Sequence, residues 1–90
     1  MSERYLPLSA VSPGEQAEIT SLNTLPPMRR RLLELGLIPG TAVRCLFRGP
    51  SGDPAAFSVR GAVIALRNRD SRTITVRRLP ERRQEDAEIF

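Results

Sequence analysis

Histidine, lysine and tryptophan are all missing from this 90-residue chain, and each absence removes a kind of chemistry. Without histidine there is neither the commonest general base nor the commonest nitrogen ligand for a metal. The single cysteine, Cys45, builds no zinc or iron–sulfur site and no internal disulfide, and its place in a strand pattern reads as a small buried hydrophobe. A nucleotide-binding phosphate loop needs a lysine after its glycines, so that motif is excluded. The aromatics are only Tyr5, Phe47, Phe57 and Phe90, few for stacking on bases. No serine has an obvious base partner for a hydrolytic triad. Glu15, Glu18, Glu34, Asp53 and Asp70 fall on separate predicted elements and read as solvated or turn carboxylates. The sequence therefore predicts no enzyme, no cofactor and no metal site. No run of about 18 apolar residues is present, and Met1-Ser2-Glu3-Arg4 lacks the apolar core of a secretion signal, so the expected location is cytoplasmic, without membrane insertion.

Arginine supplies all fourteen basic residues against ten acids, a formal net charge of +4. The charge is uneven: Glu81 to Phe90 carry four acids and two arginines, leaving residues 1–80 with twelve arginines against six acids. A chain of this size forms one domain at most, burying about 60% of the surface its unfolded form exposes, so a deep active-site cavity is not expected. With 40% apolar residues, it is expected to fold.

The most informative stretch runs from Pro26 to Thr41. Prolines are tolerated in the first turn of a helix, with Asn23 or Thr24 as the expected cap; Gly36 can take the left-handed conformation that ends it, and Pro39 prevents continuation. At about 100° per residue, Met28, Leu32 and Leu35 share the core-facing side, while Leu33 lies off that stripe among Arg29, Arg30 and Glu34. So short a helix is marginal alone and must dock on something. Its expected platform is the next strand, where Val43, Cys45 and Phe47 alternate with Arg44, Leu46 and Arg48.

The remaining strands are read in the same way. Gln16 to Leu22 turns Ala17 and Ile19 inward, Ala55 to Arg60 turns Phe57 and Val59 inward, and Ala62 to Leu66 supplies Ile64 and Leu66. Gly61 marks a bend, a turn spans Arg67–Ser71, and a last strand carries Ile74 and Val76. The fold class is mainly β: a small, partly open antiparallel barrel of about five strands with a short helical insertion after the first strand. Residues 1–5 read as a frayed N-terminus, 6–80 as the barrel domain and 81–90 as a charged C-terminal tail.

From Leu6 to Arg78 the chain resembles the FeoA-like proteins, small cytoplasmic partners of the FeoB ferrous-iron transporter of bacteria and archaea. Four features carry the resemblance: the Arg-Leu-Leu-Glu-Leu-Gly-Leu-Ile-Pro-Gly-Thr run from Arg31 to Thr41, the alternating strand after it, the Gly49-Pro50-Ser51-Gly52-Asp53-Pro54 turn, and Ile64-Ala65-Leu66-Arg67 leading through Asp70 to Ile74-Thr75-Val76. Leu8 and Pro13-Gly14 also fit. Ser71 departs from the pattern, which usually has a small apolar residue there. The resemblance implies an SH3-like barrel and a role as an accessory protein of ferrous-iron uptake, binding the GTP-binding cytoplasmic part of a FeoB-like transporter to support its assembly or regulate its activity.

The expected contact residues are Arg29, Arg30, Leu33, Leu37 and Leu46, because apolar anchors rimmed by arginine are favoured at interface centres. Each has a structural alternative: Leu33 can be covered by the Leu6–Leu8 segment, Arg30 can pair with Glu34, and Leu37 can make the apolar contact that accompanies a glycine cap. A second reading is a nucleic-acid-binding basic barrel using Arg44, Arg48, Arg60, Arg77 and Arg78, which the scarcity of aromatics disfavours. A third is an accessory barrel acting with an iron-responsive regulator. Self-association through an unpaired strand edge is a further option.

Overall fold

In a computed structural model, which describes residues 5–80, six antiparallel strands form one sheet in the order β1-β6-β2-β3-β4-β5. They are β1 (Tyr5–Pro7), β2 (Gln16–Leu22), β3 (Ala42–Arg48), β4 (Ala55–Val59), β5 (Ala62–Leu66) and β6 (Ile74–Arg78). Helix α1 (Pro26–Glu34) lies between β2 and β3, and a single turn, α2 (Asn68–Ser71), precedes β6. The sequence reading is thus one strand short. Tyr5, Leu6 and Pro7 pair with Arg77, Val76 and Thr75, so α1 follows the second strand. The first of these residues was placed in a frayed terminus, but its backbone is held by β6. The proposed tail, 81–90, lies outside the described residues.

The buried side chains alternate along the strands as a half-buried sheet requires. Ala17 and Ile19 of β2, Val43 and Cys45 of β3, Phe57 and Val59 of β4, and Ile74 and Val76 of β6 form one core with Leu8, Val11, Leu32 and Leu37. The alternation breaks at two register shifts, in β2–β6 between Ile19 and Ser21 and in β3–β4. The β3–β4 register shifts between Cys45 and Phe47, and a bulge adds one residue to one strand, turning every later side chain to the opposite face. Phe47, expected inside, is consequently 60% exposed.

Two joints hold the sheet's ends in place. Arg48, at the end of β3, donates from Nη2 to the carbonyls of Ser9 (2.6 Å) and Val11 (2.7 Å) and from Nη1 to Asn68 Oδ1 at 3.4 Å. Asp53 accepts from the Asn68 backbone N–H at 2.9 Å; it bonds a backbone group as expected, but one fifteen positions away at the start of α2 and not in its own turn. At Asp70 the side chain is not the acceptor; Thr73 instead bonds the Asp70 carbonyl through both its N–H and its hydroxyl. Ser71 is fully buried in this turn, and its hydroxyl donates to the Asn68 carbonyl at 3.5 Å. A polar side chain here is thereby accommodated.

Candidate interaction surface

Helix α1 begins where the two prolines predict, at Pro26, but its cap is not a side chain. Leu25 is the N-cap, in extended conformation as a residue before proline must be, and no side chain bonds the free N–H groups. Thr24 is instead turned to Thr73, with the hydroxyls 2.6 Å apart, and the Asn23 side chain donates to Thr75 Oγ1 at 3.4 Å. Both expected caps are spent on fastening the helix start to β6 and the turn before it. The extended backbone throws Leu25 outward, and it is 77% exposed.

The helix ends in a Schellman arrangement. Gly36, at φ +103°, donates its N–H to the Leu33 carbonyl at 3.0 Å, and the Leu37 N–H reaches the Leu32 carbonyl at 3.0 Å. Such a cap brings the residue after the glycine against the last inward residue of the helix. Leu32 and Leu37 are both fully buried in the core. This corrects one candidate: Leu37 presents no atom to a partner, and the apolar cap contact is its role. Gly36 is also close to β4, since a Cβ placed on it would meet Arg60 Cδ at 3.4 Å and Val59 Cγ1 at 3.6 Å.

The other candidates separate. Arg29 and Arg30 are exposed, whereas Leu33 is partly buried and packed against the core. Leu46 is only 36% exposed and lies at the β3 bulge, beside Phe47. Leu35, expected inside, is the C-cap residue and is exposed, as is Ile38 just beyond the glycine. Helical periodicity places residues within the helix, not at its caps, so Leu25, Leu35 and Ile38 escaped it; the Leu-Pro step at Leu25–Pro26 was the available signal for Leu25. The helix and its caps thus expose Arg29, Arg30 and Arg31, with Leu25 at the start and Leu35 and Ile38 at the end. Among the described residues no carboxylate forms an ion pair with these three arginines, Glu34 included.

Elsewhere several arginines are engaged. Arg44 donates to the Gly14 carbonyl (2.6 Å) and Gln16 Oε1 (2.9 Å), Arg77 pairs with Glu18, and Arg78 lies 3.8 Å from Glu15. Glu15 also accepts from the Ser12 N–H at 2.8 Å. Among the described residues no group of three or more cysteine and carboxylate side chains converges as a metal site. Cys45 is free and buried, and burial pushes its thiol pKa up, away from the reactive thiolate. No helix among the described residues is long and apolar enough to cross a membrane.

These features sit within a domain of known type, for the FeoA domain family model matches residues 6–78. The chain belongs to the FeoA family. The FeoA protein of Chlorobium tepidum is similar at 34% identity and a TM-score of 0.80, over 88% of this chain and 75% of that one. A FeoA-like protein from Clostridium acetobutylicum matches at 25% identity and a TM-score of 0.78, over 90% and 94%. The FeoA of Stenotrophomonas maltophilia, complexed with zinc and described as a procaryotic SH3 domain protein, matches at 31% identity and 0.72, over 79% and 88%. No curated protein sequence matches this chain. The FeoA family is associated with ferrous-iron transport, and the mainly β architecture is the SH3-like fold of its relatives.

Proposed function

We propose that this FeoA-family chain is a non-enzymatic cytoplasmic accessory protein that binds the GTP-binding part of a FeoB-like ferrous-iron transporter and supports its assembly or regulates its activity. The observation that carries this reading is the exposed side of α1 and its caps, where Arg29, Arg30 and Arg31 have no ion-pair partner among the described residues and Leu25, at the start, and Leu35 and Ile38, at the end, are exposed. Exposed arginine together with exposed apolar side chains is the composition that interface centres favour. The buried and engaged positions support contact over chemistry: Cys45 is inside, and Glu15, Glu18 and Asp53 are held by neighbouring groups.

The test is co-precipitation of the full chain with the cytoplasmic part of the FeoB-like transporter from the same cell, with and without nucleotide. Leu25 is the residue to change, since Leu33 is part of the packing. Leu25→Glu is expected to abolish capture while shifting stability by no more than about 0.5 kcal/mol, the usual range for a surface substitution. Capture unaffected by Leu25→Glu and by Arg30→Glu overturns the assignment of this surface.

A further inference from the structure

Among the described residues strand β5 is an edge, with no strand on its outer side. It pairs only with β4, through Ala55↔Leu66, Ala56↔Ala65, Phe57↔Ile64, Ser58↔Val63 and Val59↔Ala62. The connection is the two residues Arg60 and Gly61, both at positive φ (52° and 87°), the signature of a tight hairpin whose flanking pair exchanges both backbone hydrogen bonds. Bonded and non-bonded pairs then alternate, so Ala62, Ile64 and Leu66 bond to β4, while the N–H and C=O groups of Val63 and Ala65 point to the open edge. Val63 is 65% exposed, and Ala62 and Ala65 are exposed as well. Natural edge strands are ordinarily blunted by charge, proline or a bulge. Ala-Val-Ile-Ala-Leu has none of these. On the outer face, Ala65 continues a row with Ala56 and exposed Phe47.

We infer that β5 accepts an extended segment of a partner protein as a seventh, antiparallel strand, the segment having an uncharged, alternating centre and a carboxylate at each end. The charge comes from Arg60 and Arg67, which bracket the strand, are exposed, and have no ion-pair partner among the described residues. The same arginines disfavour a second copy as the occupant. Antiparallel self-pairing of Val63 with Ala65 sets Arg67 of one copy opposite Gly61 of the other, one position from its Arg60, so two arginines gather at each end of the ladder, an unfavourable concentration of like charge. Backbone bonds supply affinity in such strand addition, and flanking charge supplies direction and selectivity. This site shares only Arg60 with the surroundings of α1 and does not depend on the transporter reading.

The experiment uses the full chain, isotopically labelled, with the peptide acetyl-Asp-Val-Ser-Val-Ser-Val-Asp-amide and its lysine-ended counterpart, at low salt. The acidic peptide is expected to shift and protect the Val63 and Ala65 amides, and the lysine-ended peptide to bind at least about tenfold more weakly. Ala65→Pro removes an outward N–H that β4 does not use and should abolish binding. Where that variant fails to fold, the double change Arg60→Glu with Arg67→Glu provides the test, since it should reverse the preference toward the lysine-ended peptide. Equal binding of the two peptides overturns the proposal, as does binding retained by a folded Ala65→Pro. Val63 and Ala65 amides that become protected with protein concentration alone assign the edge to a second copy and likewise overturn it.

Discussion

Leu32 and Arg48 show how differently two single side chains hold this fold. Leu32 is fully enclosed, between the helix cap and the sheet, so Leu32→Ala removes buried apolar volume that the surroundings refill only in part. The expected loss is about 2–5 kcal/mol, read from thermal or denaturant unfolding. Arg48 contributes through direction instead. Its guanidinium fork spans the carbonyls of Ser9 and Val11 and the Asn68 side chain, joining three segments distant in sequence. Arg48→Met keeps much of the stem but leaves those acceptors without their donor. A loss of about 1.5–3 kcal/mol is expected, in keeping with hydrogen bonds from charged groups. Arg48→Lys should recover only part of it, because one ammonium does not reproduce a planar fork.

At the scale of elements, the β4–β5 hairpin carries a visible local conflict. Arg60 takes φ 52°, a left-handed value that residues other than Gly, Asn and Asp adopt at a cost. Arg60→Asn should therefore raise stability by about 1 kcal/mol, measured by denaturant unfolding, since Asn-Gly is the favoured pair for this turn. Helix α1 and its glycine stop were legible because proline and glycine act locally, through φ and the missing N–H. The strand alternation was legible for the same reason, since it needs only period two. Phe47 was misread because a bulge depends on how two strands align, which neither strand encodes alone. Thr24 was misread because Thr73 competes for its hydroxyl from 49 positions away. Leu37 was left between cap contact and partner contact; the cap reading follows once Leu32 is known to be its neighbour in the core.

Across the whole molecule, net charge proves a poor guide to what the surface offers. Of the five arginines that a basic-barrel reading would assign to nucleic acid, Arg44, Arg48 and Arg77 donate to groups within the protein, and Arg78 faces Glu15. Of those five only Arg60 is left, so phosphate binding through that set has little counterion release to drive it. Filter-binding titration against single-stranded DNA is expected to give no retention at about 0.15 M salt, and firm retention there would revive that reading. The candidate interaction site was thus partly readable: Arg29 and Arg30 followed from helical spacing, but the apolar residues beside them stand at caps, where spacing has no authority.

The sheet order has a further consequence. The last strand in sequence, β6, sits between the first two, with Tyr5 facing Arg77 on one side and Leu22 facing Ile74 on the other. A chain emerging from the ribosome therefore holds β1 and β2 without the strand that joins them until residue 78 has appeared. Until then Leu8 and Ile19 lack the cover that Ile74 and Val76 give them in the finished core. Pairings of such long span are slow to form and leave apolar surface open in the meantime. Residue 78 must have emerged before this sheet can assemble, which makes β6 the strand that commits the domain to its fold.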